Sequence, residues 1–284
     1  MSTVGFVGLG NMGSMLAANL VAAGHDLVTF DAAGDSRSPG GASFARDVAD
    51  VARRADVIVC SLPDGAASAQ VLRALIGSGE RRATHVVDTS TIGVAAARAN
   101  GALLSAAGIG YADAAVSGGV AGARARTLSV MYAAPDAVCA TVEPVLAGMS
   151  DRRRRVGDEP GLAQALKLAN NFLSAIALAA TSEAVAFGVS AGLEIETMIE
   201  VLNASSGQSQ ATADKFPSQV LSGRYAAGFT NTLMCKDLAL YLDAVAAQGA
   251  PDVLGSATAA LWQRFVEAEP DADFTRIYPF VEGS

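Results

Sequence analysis

The amino-acid sequence predicts an α/β fold in two parts: a doubly wound parallel sheet, followed by an all-α domain that begins with a long interdomain helix. Three observations favour this fold. A glycine-rich turn directly follows the first strand pattern, short apolar strands then alternate with helical patterns up to residue 160, and strand patterns cease from residue 161. We therefore predict domains over residues 1–160 and 161–284, with the long helix over 161–192.

The first strand, over residues 4–7, leads directly into GLGNMG and an apolar-periodic helix. Its glycines form GxGxxG in the setting of strand, tight turn and helix N-terminus. Missing side chains there let a pyrophosphate approach backbone N–H groups and the positive end of the helix dipole. We predict a dinucleotide contact by the turn and the first helical residues, which are Gly8, Gly10, Asn11, Met12 and Gly13.

The second strand, over residues 26–30, is followed by Asp31, which lies 18 residues after Gly13. A carboxylate at about this spacing accepts hydrogen bonds from the adenosine ribose and repels a 2′-phosphate, so NAD is favoured over NADP. Two alternatives stay open. Asp31 can be an ordinary turn residue, and the segment 36–38, which contains Arg37, can hold a phosphate if its loop folds back.

Further helices are predicted near residues 43–54 and over 66–76 and 94–107, with strands over 56–60 and 85–88 between them. In such sheets the ligand lies beyond the carboxyl ends of the strands. This places Leu62, Pro63 and Thr91 along the cofactor cleft, although loops and helix caps use the same residue types.

The stretch after the next short strand contains Ser117, Gly118 and Gly119. Backbone N–H groups and a hydroxyl in such a turn can hold a carboxylate, and a tight turn without a ligand is equally compatible with the pattern. A strand over 128–133 and a helix over 136–149 then complete the first domain. The residues 151–160 are predicted to be the link, with Arg152–Arg155 in a solvated loop.

The helix over 161–192 is too apolar for an exposed amphipathic helix and is predicted to be buried on nearly all sides. Its uncharged run, 168–182, is shorter than the ~20 residues a membrane span needs. Shorter helices are predicted over 194–204, 234–249 and 251–269, with 205–229 irregular. Lys167 and Asn171 lie one turn apart near the start of the long helix.

Only three lysines occur, Lys167, Lys215 and Lys236, and the remaining cations are arginines. A partly desolvated ammonium can release its proton near neutral pH, whereas a guanidinium cannot. Lys167 is therefore a candidate catalytic residue. Lys215 lies in a polar stretch and is assigned no role.

Composition, net charge and the N-terminal sequence argue against several classes of protein. A hydrophobic content of 51% and a mean hydropathy of +0.34 indicate a globular protein, and the N-terminus lacks a basic signal-peptide region. The three cysteines are far apart in sequence, which argues for free thiols in a reducing cytoplasm and against a disulfide frame or zinc site. The two histidines argue against a histidine-rich metal centre. A net charge of −8 argues against nucleic-acid and anionic-membrane partners.

Four motifs together resemble the β-hydroxyacid dehydrogenase family, whose members include 3-hydroxyisobutyrate dehydrogenase and tartronate semialdehyde reductase. They are GFVGLGNMG at the N-terminus, DAAVSGGVAGA over 113–123, GLAQALKLANN over 161–171, and Lys236-Asp237. The resemblance spans nearly the whole chain. It implies a Rossmann domain, an all-α domain on a long helix, and reversible hydride transfer between a nicotinamide and a short 3-hydroxy acid or its aldehyde acid.

The resemblance also implies residue roles. Lys167 matches the catalytic lysine, which would act as general acid and base. The substrate-binding residues would be a carboxylate-binding turn, an orienting asparagine and a lysine that closes over substrate and nicotinamide: Ser117, Gly118, Gly119, Asn171 and Lys236. A homodimer or homotetramer is expected from the apolar helices of the second domain.

The sequence departs from the family pattern at Ala115, Arg126 and Ala163, where proline, glycine and glycine are usual. Arg126 is expected to affect substrate identity more than reaction type. The segment 205–210 lacks an aromatic residue that many relatives carry, which would admit a different or larger substrate. Two other functions remain: an imine reductase, although these usually lack the lysine, and a non-catalytic nucleotide-binding module.

Overall fold

A computed structural model describes residues 3–283 of the chain. The chain divides into two compact units that meet in sequence between Lys167 and Leu168. The first unit is α/β and the second is helical, as the sequence predicts. The expected α/β class with a parallel sheet is confirmed.

Within residues 3–283, nine strands form one sheet. They are β1 Thr3–Val7, β2 Asp26–Phe30, β3 Ser43–Phe44, β4 Val57–Cys60, β5 His85–Asp88, β6 Gly110–Asp113, β7 Val116–Ser117, β8 Ser129–Ala133 and β9 Arg152–Gly157. Their order is β3-β2-β1-β4-β5-β6-β8-β7, with β9 also paired to β8. The pairs from β3 to β6 are parallel, and β8 runs antiparallel to β6 and β7.

In the described part of the first unit, six helices accompany the sheet: α1 Asn11–Ala22, α2 Val48–Arg54, α3 Gly65–Ile76, α4 Val94–Ala106, α5 Gly119–Arg124 and α6 Asp136–Met149. The helix α7 Leu162–Ser190 begins in the first unit and continues into the second. The second unit also contains α8 Ile195–Asn203, a π-helical segment Ala211–Val220, α9 Asn231–Gln248, α10 Val253–Ala268, a 3₁₀ turn Phe274–Arg276 and α11 Ile277–Glu282.

Alternate residues of the central strands belong to two different cores, one on each face of the sheet. In β4, Val57 and Val59 pack in one core, while Ile58 and Cys60 pack in the other. Because both faces of the sheet are covered, β4 is apolar at every position rather than at every second one. The chain leaves β1 toward β2 on one side and returns to β4 on the other, which makes the carboxyl end of β1 the topological switch point.

The prediction of a solvated loop at Arg152–Arg155 is wrong, because these residues form β9, parallel to β8. Acidic side chains of α6 supply the reason. Arg153 Nε lies 3.0 Å from Glu143 Oε1, and Arg155 Nη1 lies 2.6 Å from Asp136 Oδ1. The strand can therefore carry consecutive arginines because alternate guanidinium groups find carboxylate partners on the neighbouring helix.

The helix predicted near residues 43–54 begins later, at Val48. Ser43–Phe44 instead pairs with β2 as β3, and the Asp47 side chain caps α2 by accepting from Asp50 N (2.6 Å). A short strand next to a helix carries too little periodicity to be separated from it by pattern alone.

The prediction that the long helix is buried on nearly all sides is also wrong. On α7, Leu173 is 62% exposed and Phe187 74% exposed. By length and composition alone, α7 passes the test for a membrane span, the one helix among the described residues to do so, although core helices of soluble proteins pass it too. The segment 205–229 is not wholly irregular, since it contains the π-helical turns Ala211–Val220.

Candidate functional site

The glycine turn after β1 has the geometry of a dinucleotide cradle. Gly8 has a φ of 97°, and a Cβ there would collide with the backbone after β4. A Cβ on Gly13 would overlap the carbonyl oxygen of Gly8, which brings α1 close to the turn. Around Gly10, by contrast, a Cβ would meet nothing within 4 Å. Two glycines thus permit close packing, and the third leaves open backbone at the N-terminus of α1, where Asn11 and Met12 begin the helix.

Asp31 lies beside this turn. One carboxylate oxygen accepts from the backbone N–H of Leu9 and the other from that of Ala33, at 2.7 Å. Each oxygen retains a lone pair for a further donor. The loop that follows does fold back, because Arg37 Nη1 donates to Asn11 Oδ1 at 3.2 Å. An acidic and a basic side chain therefore both stand next to the first residues of α1.

The carboxyl ends of the next two strands adjoin the same turn. Leu62 N–H donates to Ser90 Oγ at 2.8 Å, which ties the segment after β4 to the segment after β5. Pro63 and Thr91 each follow one residue later. The first unit thus gathers the predicted cofactor residues of β1, β2, β4 and β5 at one edge of the sheet.

The predicted carboxylate-binding turn joins β7 to α5. Gly118 and Gly119 have φ values of 127° and 65°, a region that side-chain-bearing residues rarely adopt. A Cβ on Gly119 would meet nothing within 4 Å, so its backbone is approachable. Ser117, the last residue of β7, precedes it. The turn therefore connects a strand to a helix through two glycines in positive-φ conformations.

Lys167 is buried, with 9% of its surface exposed, in the second turn of α7. The first turn is capped by Asp113 from the carboxyl end of β6, whose Oδ2 accepts from Gly161 N (2.9 Å) and Gln164 N (3.2 Å). Gln164 is fully buried as well. Neither Asp113 nor Gln164 was assigned a role by the sequence, because a cap supplied 48 residues away along the chain has no local pattern.

Burial raises the pKa of Asp113 from its usual 3.8 to about 6, and hydrogen bonds from Gln164 and Gly161 oppose that rise. Burial also raises the pKa of Asp88, at the end of β5, although Ser68 and Ser90 donate hydrogen bonds to it. Two buried carboxyl groups therefore lie at adjacent strand ends, both held by dense hydrogen bonding.

In the second unit, Asn171 and Lys236 share one partner. Asn171 Nδ2 donates to Asp237 Oδ2 at 2.6 Å, and Lys236 Nζ lies 3.2 Å from Asp237 Oδ1. Asp237 is 3% exposed, and Asn170 Nδ2 donates to Asn171 Oδ1 at 3.1 Å. The structure thus brings two of the predicted substrate residues together through a buried carboxylate on α9.

The departure at Arg126 has a local structural explanation. Its φ is 58°, which accounts for the glycine usual at this position. Its guanidinium donates to the carbonyl oxygens of Gly148 (2.8 Å) and Ala147 (3.0 Å), the last turn of α6. Arg126 therefore caps a helix C-terminus at a strained backbone position. Ala115 and Ala163 are fully buried.

Residues 3–283 contain no group of three or more His, Cys, Asp or Glu side chains placed to hold a metal ion. Residues 3–157 match the NAD binding domain of 6-phosphogluconate dehydrogenase, and residues 161–281 match a family described as NAD-binding of NADP-dependent 3-hydroxyisobutyrate dehydrogenase.

Two curated relatives and one solved structure are similar over most of the chain. A probable 3-hydroxyisobutyrate dehydrogenase of Mycobacterium tuberculosis is 34% identical, covering 98% of this chain and 97% of the relative. The 2-(hydroxymethyl)glutarate dehydrogenase of Eubacterium barkeri is 36% identical, covering 85% and 81%. A solved Mycobacterium tuberculosis 3-hydroxyisobutyrate dehydrogenase with L-serine has a TM-score of 0.92 and 33% identity, covering 99% of both chains.

Proposed function

This chain belongs to the β-hydroxyacid dehydrogenase family and is an NAD(P)-dependent hydroxy acid dehydrogenase; from that premise we propose that it oxidises the primary alcohol of a 2-substituted 3-hydroxypropanoate to the semialdehyde. Two relatives are named for 3-hydroxyisobutyrate and 2-(hydroxymethyl)glutarate, and the similar solved structure is described with L-serine. All three molecules have the formula HO–CH₂–CHR–COO⁻, in which R is methyl, carboxyethyl and amino, respectively. The carboxylate and the β-hydroxyl are the constant parts that a site can recognise.

The first unit fits a nicotinamide dinucleotide, because Gly10 leaves open backbone at the N-terminus of α1 and two other glycines allow the turn to pack closely. Bound there, the nicotinamide supplies the hydride acceptor. Lys167 takes the proton that the substrate hydroxyl loses during oxidation and returns it during reduction. The burial of Lys167 carries this proposal, since a desolvated ammonium gives up its proton more readily than an exposed one.

The substrate carboxylate is held by the Ser117–Gly118–Gly119 turn. Asn171 orients the substrate. Lys236 closes over substrate and nicotinamide, and its positive charge pairs with the substrate carboxylate. The common attachment of Asn171 and Lys236 to Asp237 supports a joint role for these two side chains.

The test is an initial-rate screen of 2-substituted 3-hydroxypropanoates that follows reduction of the nicotinamide. Lys167→Ala should lower kcat by about 10²- to 10⁴-fold, while the Kd for NAD stays nearly unchanged. Lys215→Ala is the matched control, because this lysine pairs with Asp214 at 2.7 Å and has no assigned role. Near-normal kcat in Lys167→Ala would refute the assignment. Turnover of a cyclic imine in preference to every hydroxy acid would instead indicate an imine reductase, and binding of NAD without turnover a nucleotide-binding module.

NAD is the proposed cofactor, in preference to NADP. Asp31 beside the glycine turn supports this choice, because its carboxylate would repel a 2′-phosphate. Arg37, next to Asn11, is the group that opposes it. We expect a higher kcat/KM with NAD in the natural chain. In Arg37→Ala, kcat/KM should fall for NADP only, and a natural preference for NADP would overturn the proposal.

A homodimer or homotetramer is proposed from the apolar surface of the second unit. Its exposed large side chains include Leu173 (62%), Phe187 (74%), Val253 (78%) and Leu254 (63%). Large contiguous apolar patches are rare on monomeric soluble proteins and mark interaction surfaces. Light scattering should give a mass two or four times the 28.6 kDa of one chain, and Phe187→Glu should lower it. A monomeric natural chain would contradict the proposal.

The proposed location is the cytoplasm, supported by three cysteines that form no disulfide in the described residues. Fractionation of cells that express the chain would test it.

A further inference from the structure

Gln164 makes the maximum number of hydrogen bonds that an amide side chain can make. Its Oε1 accepts from Ile92 N (2.9 Å) and Gly93 N (3.1 Å). Its Nε2 donates to Asp113 Oδ1 (2.7 Å) and Ser90 O (3.1 Å). Two donors and two acceptor sites are thus all used, in a side chain with no exposed surface.

These partners belong to two segments with different predicted roles. Ser90, Ile92 and Gly93 form the connection between β5 and α4, which also carries the predicted cofactor residue Thr91. Gln164 itself lies in the first turn of α7, one turn before Lys167. A single amide therefore bonds the cofactor loop to the helical turn that precedes the lysine.

Asp113 dictates which way this amide faces. A carboxylate only accepts hydrogen bonds, so the Nε2 group of Gln164 must point toward Asp113 Oδ1. The oxygen Oε1 must then point toward the two backbone N–H groups of the loop. Because Asp113 also caps α7 through Gly161 N and Gln164 N, the same carboxylate sets both the start of the helix and the orientation of the amide.

We propose that Gln164 is a positioning residue that fixes the Ser90–Gly93 loop relative to Lys167. The cofactor that takes the hydride and the lysine that takes the proton are then held in the correct relative positions at the substrate. This inference rests on the proposed function, in which Lys167 takes the proton. Gln164 is assigned no contact with substrate or cofactor. Displacing a reacting group by about 1 Å can cost about 10²-fold in rate, so loss of the bridge should lower kcat far more than substrate affinity.

The first experiment replaces Gln164 with methionine, which has similar length but no hydrogen-bonding amide. We expect kcat to fall by about 10- to 100-fold, with KM for the hydroxy acid and Kd for NAD within about threefold of the natural values. The matched control is Asn19→Leu. Asn19 is also a buried amide that bridges two segments, donating to Ala123 O (2.8 Å) and Met149 O (3.2 Å). It should lower the melting temperature similarly but leave kcat within about twofold.

The second experiment exchanges the carboxylate and the amide. Asp113→Asn and Gln164→Glu each place like groups against each other, and both single variants should lose kcat. In the double variant the new amide at 113 can donate to the new carboxylate at 164, which still accepts from Ile92 N and Gly93 N. The bond to Ser90 O is lost, and a carboxylate oxygen then faces that carbonyl oxygen, so kcat of the double variant should stay below that of the natural chain. We expect kcat of the double variant to exceed that of either single variant by about tenfold.

The outcomes separate this inference from the proposed function. No turnover by the natural chain with any hydroxy acid would overturn both. Turnover that is lost in Lys167→Ala but retained in Gln164→Met would overturn the positioning role alone, as would equal losses of kcat in Gln164→Met and Asn19→Leu. If Gln164→Met does not fold, the exchange decides, and a double variant no better than its parents overturns the inference.

Discussion

Asp113 should make folding stability depend on pH in a direction opposite to that of most aspartates. Its carboxyl group is fully buried, and burial outweighs the hydrogen bonds that favour its charged form, so its pKa is raised from 3.8 to about 6. The perturbation that exposes this effect is Asp113→Asn, which removes the ionisation but keeps the shape. We expect the stability difference between the natural chain and this variant to change with pH.

The sign and size follow from proton linkage. Because the folded-state pKa is above the unfolded value, the folded state holds the proton more tightly, and the resulting stabilisation is complete below pH 3.8 and lost as pH rises through about 6. Roughly two units correspond to about 3 kcal/mol in total. Between pH 5 and pH 8, where the unfolded carboxyl is already ionised, the remaining change is about 1.4 kcal/mol.

The assay is chemical denaturation at pH 5, 6, 7 and 8, and the quantity of interest is the free energy of unfolding of the natural chain minus that of Asp113→Asn. This difference should fall by about 1.4 kcal/mol from pH 5 to pH 8, whatever constant offset the new amide introduces. Asp151→Asn makes the same change in net charge at a side chain that is 78% exposed, and it serves as the control. A difference that stays constant or rises with pH would refute the reasoning.

Further predictions concern three positions in the first unit. Arg126→Gly should be less destabilising than Arg126→Ala. Both variants lose the hydrogen bonds to the end of α6, which contribute about 1.5–3 kcal/mol. Only glycine relieves the strain of a φ of 58°, which costs about 1 kcal/mol. Equal free energies of unfolding for the two variants would contradict this, and a changed substrate profile would show that Arg126 reaches the substrate. Gly10→Ala should keep its melting temperature and raise the Kd for NAD by about tenfold, because the space at Gly10 is open and the bound pyrophosphate would fill it. Gly13→Ala should lower the melting temperature, since its Cβ would overlap Gly8 O. Unchanged binding in Gly10→Ala, or unchanged stability in Gly13→Ala, would count against this account of the turn.

The order of secondary structure in the first unit could be predicted because it depends on local patterns. The strands 26–30 and 85–88 and the helix 136–149 have the predicted bounds. The errors occur where a partner distant in sequence decides the outcome. Arg152–Gly157 is a strand because β8 offers a free edge and α6 offers carboxylates, and no pattern within the segment records either.

Some features of the candidate site could likewise be predicted from the sequence, and others depend on partners distant in sequence. The spacing of Gly8, Gly10 and Gly13, and the rarity of lysine that drew attention to Lys167, are properties of the sequence and are visible without coordinates. The hydrogen bond from Asn171 to Asp237, the neighbour of Lys236 in sequence, is not visible there, because it joins positions 66 residues apart. The prediction that the long helix is buried on nearly all sides is wrong because apolar composition indicates that a surface avoids water, but not which other surface covers it.

The sequence by itself determined the alternation of strands and helices, the nucleotide turn and the presence of a lysine near the start of an apolar helix, since each depends on neighbours within a few residues. Only the tertiary structure decided that a carboxylate from β6 caps that helix and that a buried amide bonds it to the loop after β5. The physical reason is that a buried polar group must be satisfied by whatever the fold brings within hydrogen-bond distance, and that partner can lie anywhere along the chain.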